Sequence, residues 1–397
     1  MLQNLAMYKA KKRRIYLDYA SASPVLATAI RAMRTTEKLV GNPSAIHAEG
    51  VAAKRALNDA RERIAGVFGI KARELVFTPS LTAANSLAVI GFAQSLPSMV
   101  GTHWIVDTIE HPSIGECFHE IERMGGVVSY VAPDARGIIT PAAVCDVLRP
   151  ETVFVSVGWA NSEIGIIQPL ADIARALRVH EQTHRTRIAF HTDVGQAPLY
   201  ESTLIHSLGV SLASFGSNKM YGPHGIGALY VRGDMGLRPV VYGGAQEKGW
   251  WSGTENVALA TGFASACAEM VRHRHTEAIR VKKLRDHLAQ RLCASIPDAR
   301  VNGDLRCALP HILNVSIPGI SGEYLALALD HAGIAVSTKS ACREGETASH
   351  VVASLCGVST DAWRASHTIR FSLGRGTKKR DIEYVVIVLS ALVSARK

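Results

Sequence analysis

The sequence has no apolar run of about 18 residues or longer, so it predicts no membrane-spanning helix. It also has no secretory signal, because the basic cluster KAKKRR follows the mildly apolar part of the N-terminus instead of preceding it. We therefore expect a cytoplasmic protein without membrane contact. A short transit sequence is the alternative interpretation of this terminus.

The seven cysteines include no CxxC pair, which excludes zinc ribbons and thioredoxin-like redox motifs. An odd number of cysteines is typical of free thiols in a reducing compartment. The sequence also lacks a dense basic patch, since its net charge of +10 is scattered and residues 272–287 have the composition of a solvated helix face. We therefore expect no metal and no nucleic acid, although a basic surface would suit an acidic protein partner.

The chain of 397 residues is 47% hydrophobic and 20% charged, which is typical of a globular protein whose core is divided between two domains. From about residue 48 to 260, helical segments alternate with apolar runs of strand length: ELVFT, WIVDTI, TVFVSVGWA, RIAFHTD and VSLASF. This alternation predicts an α/β fold with a mainly parallel sheet flanked by helices. The segments after Thr261 predict a smaller α+β domain.

Polar side chains follow these strands, at the end of a parallel sheet where ligands collect. Lys219 and Asp193 come directly after, or at the end of, two successive predicted strands. One cofactor explains both, because pyridoxal phosphate forms a Schiff base with a lysine, and an aspartate keeps its ring nitrogen protonated. Ser80 and Thr82, at the start of a predicted helix, would place the phosphate near free backbone N–H groups.

Nine ordered motifs lie between residues 15 and 375: IYLDYASASP, GNPSAIHAEG, EHPSI, NSEIGIIQPL, HTDVGQAP, NKMYGPHGIGALYVR, SGTENVA, SACRE and IRFSLGR. Together they resemble the cysteine desulfurase family of fold-type-I pyridoxal phosphate enzymes. The resemblance implies a large cofactor-binding domain over residues 14–260. It implies a small domain over residues 1–13 and 261–397, with a mobile cysteine loop at about 337–350.

The resemblance also implies a role for each matching residue. Family members take sulfur from L-cysteine, release L-alanine and hold the sulfur as a persulfide on an enzyme cysteine. The implied catalytic residues are the Schiff-base lysine, a histidine that stacks on the cofactor ring and the sulfur-accepting cysteine: Lys219, His111 and Cys342. The implied cofactor ligands are Thr82, His111, Ser162, Asp193, Gln196, Ser217, Asn218, Lys219 and Thr254, and the implied substrate ligands are Arg370 and Ser162.

Partners are implied in the same way. Thr254 matches a threonine that reaches the phosphate of the neighbouring subunit, so a homodimer is expected. The SAC setting of Cys342 resembles the family branch that serves iron–sulfur assembly. The expected persulfide acceptor is an iron–sulfur scaffold or a sulfur-carrier protein, for cluster synthesis or for thio-cofactor and tRNA synthesis.

The chain departs from the family pattern around the cofactor. Gly216, Ser217 and Asn218 precede the lysine where the family has serine, a small residue and histidine; Ser162 replaces an asparagine, and Ser80 replaces a glycine. Ser217 and Asn218 can replace part of the lost hydrogen bonding to phosphate. An active desulfurase is the favoured interpretation. The alternatives are a weakly active or non-catalytic binding protein and a related lyase or aminotransferase.

Overall fold

The computed structural model describes residues 14–338, 348–357 and 360–395. The strands are β1 (Ile15–Tyr16), β2 (Leu75–Thr78), β3 (His103–Asp107), β4 (Val127–Val131), β5 (Thr152–Ser156), β6 (Ala189–Asp193), β7 (Leu212–Gly216), β8 (Gly227–Val231), β9 (Arg300–Val301), β10 (Ile312–Ser316), β11 (Ile334–Ala335) and β12 (Thr368–Ser372). The α-helices are α1 (Ala27–Thr36), α2 (Ala48–Phe68), α3 (Leu81–Ala93), α4 (Pro112–Arg123), α5 (Pro141–Cys145), α6 (Leu170–His184), α7 (Val257–Ser295), α8 (Gly322–His331), α9 (His350–Cys356) and α10 (Lys379–Ser394).

The largest sheet has seven strands in the order β2-β8-β7-β6-β5-β3-β4. The five neighbouring strands β7, β6, β5, β3 and β4 are parallel to one another. At the other edge, β8 pairs antiparallel with β7, and β2 pairs antiparallel with β8. Each of the five apolar runs named from the sequence forms one strand of this sheet. The predicted fold class, a mainly parallel sheet flanked by helices, is confirmed.

Side-chain alternation along the strands divides the core of the large sheet into two layers. In β3, Trp104 and Val106 pack with α3 and α4, whereas Ile105 between them packs with residues of α2, α6 and α7 on the other face. Successive residues of a strand point to opposite faces, so one apolar run supplies both layers. This is why a sheet covered on both faces has continuous apolar runs in its sequence.

A smaller antiparallel sheet has β10 between β9 and β12. It shares a separate core with α8, α10 and the C-terminal part of α7, which includes Leu288, whereas Phe263 nearer the start of α7 packs in the core of the large sheet. β1 joins the smaller core because it pairs parallel with β11 and the following Leu17 is buried. The predicted domain boundaries themselves stay a prediction.

The helix ends follow local sequence signals. α2 ends at Gly69, which has the left-handed φ of 64° that glycine adopts most easily, as the sequence predicts. α3 begins after Ser80, whose hydroxyl accepts a hydrogen bond from the Ala83 amide. Within the described ranges, none of the helices combines the length and the apolar character needed to cross a bilayer.

One buried ion pair attaches the turn at residues 246–249 to the large sheet. The Glu247 carboxylate accepts hydrogen bonds from both terminal nitrogens of Arg61 in α2, at 2.8 and 2.5 Å, and from the Phe77 amide of β2 at 2.8 Å. The Arg61 guanidinium also lies 4.7 Å from the centre of the Phe77 ring. Glu247 has a positive φ of 45°, so these contacts hold a backbone conformation that is uncommon outside glycine.

Replacement of Glu247 by alanine is expected to lower the free energy of unfolding by about 2 to 4 kcal/mol, because it leaves the largely buried Arg61 guanidinium, 16% exposed, without its counter-charge. Urea unfolding at fixed protein concentration measures this loss. Asp172→Ala, which breaks the exposed pair with Arg175, is the control and should cost less than about 1 kcal/mol. Equal losses in the two variants would contradict the structural role of Glu247.

Candidate active site

A pocket lies at the carboxyl ends of β3, β5, β6 and β7, the position where open parallel sheets bind ligands. Its lining includes residues from the connection after each strand: Glu110, His111, Ser162, Asp193, Gln196 and Lys219. Five of these six were named as site residues from the sequence. The sheet topology brings them together because the ends of adjacent parallel strands meet at one edge.

Lys219 ends the short turn of 3-10 helix that follows β7. Its ammonium donates hydrogen bonds to the carbonyl oxygens of Ala20 and Ser21, each at 2.7 Å. The segment that follows β1 therefore holds the lysine at the wall of the pocket. Gln196 uses the same carbonyl, because its side-chain nitrogen donates to Ala20 O at 2.8 Å. The Gln196 Oε1 atom is buried and has no hydrogen-bond partner among the described residues.

Asp193 is the last residue of β6, and its carboxylate is fixed from two directions. Asn85 of α3 donates to one oxygen at 2.9 Å, and the Gly195 amide donates to the other at 2.7 Å. The amide nitrogen of Asn85 also donates to the Ser113 hydroxyl at 2.9 Å, so Asn85 links α3, α4 and β6. Asp193 is therefore an oriented hydrogen-bond acceptor in the pocket wall.

His111 caps the N-terminus of α4. Its Nδ1 accepts a hydrogen bond from the Ser113 amide at 3.2 Å and lies 2.8 Å from the Ser113 hydroxyl. Burial lowers the pKa of His111 below its usual value, with a smaller lowering contribution from Lys219 that opposes the raising effect of Asp193. The ring is therefore neutral at neutral pH, and Nδ1 is the acceptor nitrogen.

A chain of buried polar side chains runs beneath the pocket across three strands. The Ser156 hydroxyl donates to Glu110 Oε1 at 3.0 Å and lies 2.9 Å from His191 Nδ1. The other ring nitrogen of His191 lies 3.0 Å from the Ser214 hydroxyl. Burial lowers the pKa of His191 to about 3, so its ring stays neutral. Because Ser156 donates to the carboxyl group, it accepts from His191 Nδ1–H.

Two further carboxyl groups line the pocket beside Asp193. Burial raises the pKa of Glu110 well above its usual range, and the nearby charges of Asp107 and Asp193 raise it further. Burial also raises the pKa of Asp107. Burial therefore favours the protonated form of both carboxyl groups, and the neighbouring carboxylates add to this effect at Glu110. The sequence pattern predicted neither Glu110 nor Asp107 as a site residue, although Asp107 is the last residue of β3 and Glu110 follows it closely.

Arg370 lies in the centre of β12 with 1% of its surface exposed. Its guanidinium donates to the Asp18 carboxylate and the Ser21 hydroxyl, both at 2.6 Å, and to the backbone carbonyl of Ser162 at 2.9 Å. Its Nε is buried and has no partner in the part of the chain that the structure describes. The smaller sheet therefore contacts the pocket wall through the Ser162 backbone.

The other predicted site residues do not line this pocket. Thr82, the second residue of α3, is exposed and faces a groove between α3 and α4. Thr254 is exposed and lines a separate cleft. Ser217 is buried, and a side chain at Gly222 would overlap its hydroxyl. Asn218 contributes its backbone carbonyl, which accepts from the amide and hydroxyl of Ser23. Cys342 lies outside the described residues.

The side chains of the pocket fit pyridoxal phosphate. A lysine amine, an oriented aspartate and a neutral histidine line one cavity. Gln196 Oε1 and Arg370 Nε are buried and have no hydrogen-bond partner among residues 14–338, 348–357 and 360–395, and such atoms normally bind a partner, a water or a ligand. These side chains therefore match a cofactor that has an aldehyde, a basic ring nitrogen and further polar substituents.

Comparison with known proteins identifies the family. The model of the aminotransferase class-V family matches residues 15–385. The cysteine desulfurase IscS of Dictyoglomus turgidum is 35% identical over 96% of this chain and 95% of its own length. The cysteine desulfurase IscS of Anaeromyxobacter dehalogenans is 37% identical over 94% of this chain and 90% of its own length.

Solved structures agree with this assignment. A NifS-like protein superposes with a TM-score of 0.88 at 29% identity, covering 96% of this chain and 99% of the other. The structure of SspA in complex with cysteine superposes with a TM-score of 0.77 at 29% identity, covering 90% of this chain and 98% of the other. The chain belongs to the aminotransferase class-V family and, within it, to the cysteine desulfurases.

Proposed function

We propose that this protein is a pyridoxal phosphate-dependent cysteine desulfurase that converts L-cysteine to L-alanine and passes the sulfur, through a persulfide on Cys342, to an acceptor protein. The observation that carries the proposal is the meeting of Lys219, Asp193 and His111 in one pocket, from the ends of three different strands. The names of the relatives that match nearly the whole chain support the same reaction.

In this proposal, Lys219 would bind the aldehyde of the cofactor, and Asp193 would bind its ring nitrogen. Lys219 provides the amine for covalent attachment, after it leaves the Ala20 and Ser21 carbonyls. Asp193 would accept a hydrogen bond from the protonated ring nitrogen, since Asn85 already orients its carboxylate. When bound, pyridoxal phosphate supplies an electron sink that stabilises negative charge on the substrate.

His111 is the proposed proton-transfer residue. Its neutral ring, a result of its lowered pKa, can accept a proton from a substrate held in the pocket at neutral pH. The Ser113 amide and hydroxyl fix its Nδ1, so the orientation of the ring does not depend on the substrate. The raised pKa of Glu110 favours its neutral form, which would add no negative charge beside His111.

Arg370 and Ser162 are proposed to bind the substrate carboxylate. A guanidinium presents two parallel donors that match a carboxylate. In the structure these donors contact Asp18, Ser21 and the Ser162 carbonyl, so the incoming carboxylate must replace or share the Asp18 contact. Before the substrate binds, the Asp18 carboxylate thus serves as the counter-charge of the buried Arg370 guanidinium.

We further propose a homodimer in which Thr254 reaches the partner's cofactor phosphate. Thr254 is exposed, and segments 43–44 and 245–248 near it line one cleft. Large apolar side chains in and beside these segments are highly exposed: Ile46 at 97%, Val40 at 86% and Tyr242 at 78%. Exposed apolar surface of this kind is typical of an interaction surface.

The proposed acceptor is an iron–sulfur scaffold or a sulfur-carrier protein, and the proposed compartment is the cytoplasm. Six cysteines of the described residues are free thiols, which suits a reducing compartment. None of these six lines the pocket that contains Lys219, and Cys117 lines the separate groove between α3 and α4. Burial raises the pKa of Cys117 to about 11, so it is a poor nucleophile.

The first prediction concerns the cofactor. Purified protein incubated with pyridoxal phosphate should gain a visible absorption band, and borohydride reduction should leave a phosphopyridoxyl adduct on the peptide that contains Lys219. Lys219→Ala should lose both signals, whereas the control Lys282→Ala, an exposed lysine of α7, should keep both. A colourless wild-type protein that takes up no cofactor would support the non-catalytic alternative and contradict the proposal.

The second prediction concerns the sulfur acceptor. Cys342→Ser should abolish transfer of labelled sulfur from L-cysteine while it leaves the visible absorption band unchanged, because only a thiolate can accept the sulfur. Cys293→Ser, at an exposed free cysteine of α7, is the matched control and should transfer sulfur normally. If Cys342→Ser releases sulfur at the wild-type rate, another residue is the acceptor.

The third prediction concerns the substrate carboxylate. Arg370→Lys keeps the charge and loses the paired donors, so KM for L-cysteine should rise about tenfold or more. Cysteamine, which has no carboxylate, is the control substrate, and its kcat/KM should change by about twofold at most. An equal loss for both substrates would assign Arg370 a structural role through Asp18 and not a role in binding the carboxylate.

A further inference from the structure

Tyr221, two residues after Lys219, has a backbone conformation that is unusual for its side chain. Its φ is 59°, in the left-handed region that glycine adopts easily and that is an outlier for a bulky residue. The Tyr221 amide donates to Ser23 Oγ at 2.7 Å, and its carbonyl accepts from the Leu26 amide at 3.0 Å. A residue in this conformation persists where its surroundings fix it, and such residues cluster at functional sites.

The Tyr221 side chain contacts the loop that follows β12, residues 374–377. Its hydroxyl accepts a hydrogen bond from the Arg375 amide at 3.1 Å. The centre of its ring lies 5.2 Å from the Arg375 guanidinium carbon, within the range of a cation–π interaction. The same guanidinium contacts the Glu269 carboxylate of α7 at 3.3 Å, which holds it beside the ring. Burial raises the pKa of Tyr221 to about 12, so the hydroxyl stays protonated at neutral pH.

The loop at residues 374–377 is itself held at the end of β12, the strand that carries Arg370. The Gly374 amide donates to Thr377 Oγ1, and the Thr377 amide donates to the Gly374 carbonyl, both at 3.0 Å. Arg280 of α7 donates to the carbonyl oxygens of the same two residues, at 3.0 and 2.8 Å. The loop is therefore a fixed attachment point for the Tyr221 side chain.

Tyr221 thus connects the turn that contains Lys219 with the strand that contains Arg370. In the proposed function, the Lys219 ammonium leaves the carbonyl oxygens of Ala20 and Ser21 when the lysine reacts with the cofactor. Two contacts that hold the lysine side chain in the structure are lost at that point. The position of the turn then depends more on the contacts of its other residues, and Tyr221 makes those with the loop after β12.

We propose that Tyr221 is a positioning residue for Lys219, which keeps the lysine turn in place while the amine is joined to the cofactor. The inference rests on the proposed use of pyridoxal phosphate. Tyr221 is not among the described residues that line the pocket, so it would act through the turn and not by contact with the cofactor. It should therefore support covalent attachment of the aldehyde and have little effect on noncovalent binding of the same ring and phosphate.

The test compares two ligands of the cofactor-free protein by equilibrium dialysis. Pyridoxal phosphate can form a Schiff base with Lys219, whereas pyridoxamine phosphate has no aldehyde and can bind only noncovalently. Tyr221→Phe removes the hydroxyl, so Kd for pyridoxal phosphate should rise about threefold to tenfold, the effect of one lost hydrogen bond. Kd for pyridoxamine phosphate should stay within about twofold of the wild-type value.

A second variant, Tyr221→Gly, separates the side chain from the backbone conformation. Glycine adopts the left-handed φ without strain, but it loses both contacts with Arg375, so Kd for pyridoxal phosphate should rise about tenfold or more. Hydrogen exchange in the peptide that contains Arg375 should be faster in both variants. Tyr384→Phe is the matched control, because it removes an exposed hydroxyl that donates to the Ala332 carbonyl, and it should change neither Kd.

Thermal unfolding of each cofactor-free variant shows whether it is folded, and Tyr221→Phe carries the test alone if Tyr221→Gly does not fold. Three results would overturn the inference. Tyr221→Phe could bind pyridoxal phosphate as tightly as the wild type. It could lose affinity for both ligands equally, in which case Tyr221 has a general structural role. Tyr221→Gly could match the wild type, in which case the backbone conformation alone is sufficient.

Failure of the proposed function would give a different result. Wild-type protein that binds neither ligand, or that forms no borohydride-stable adduct on Lys219, contradicts the proposed cofactor chemistry itself. Wild-type protein that forms the adduct, together with an unchanged Kd for pyridoxal phosphate in Tyr221→Phe, contradicts only the positioning role of Tyr221.

Discussion

The arrangement of the pocket depends on the segment that follows β1, residues 18–23, which crosses the ends of the strands. The carbonyls of Ala20 and Ser21 hold the Lys219 ammonium, and the Ser21 hydroxyl and the Asp18 carboxylate hold the Arg370 guanidinium. Buried cations require acceptors of this kind because each unpaired one costs several kcal/mol. One short segment thus satisfies two cations that come from different sheets, and it places them at the same pocket.

The balance of charge in the pocket follows from burial. Two cations, Lys219 and Arg370, approach an edge of the sheet that carries three carboxyl groups, Asp107, Glu110 and Asp193. Burial and the nearby charges of Asp107 and Asp193 raise the pKa of Glu110, which favours its neutral form. The Asp193 carboxylate is oriented by the Asn85 side chain and the Gly195 amide. The Ser156 hydroxyl and the neutral His191 ring connect the strands beneath the pocket without adding charge.

The sequence predicted the parts of the fold that depend on local pattern, and it missed those that depend on distant partners. The five apolar runs and the cap at Gly69 were predictable, because a buried strand requires consecutive apolar residues and a left-handed helix end favours glycine. β4 was missed because it is a partly exposed edge strand, and β8 because its apolar run follows the lysine turn without a helix. The burial of Ser217 away from the pocket could not be predicted from the sequence, because the direction of its side chain depends on the geometry of the turn at residues 217–219. The contact of Arg370 with Asp18 joins residues that are 352 positions apart.

The side of the pocket at Asp193 and the side at the start of α3 are held by different contacts. The first side is built from side chains that each make hydrogen bonds, such as Asp193 and Asn85, so a substitution there leaves buried polar groups unpaired. The end at the start of α3 is built from backbone amides and from the spacing between glycines, such as Gly216 and Gly227. At this end, a Cβ at Gly216 would lie 3.1 Å from Leu81 Cβ, and a Cβ at Gly227 would lie 2.6 Å from the Ser80 carbonyl carbon. A side chain at either glycine would therefore have to displace the start of α3, whereas a substitution of Asn85 would remove a donor from the Asp193 carboxylate.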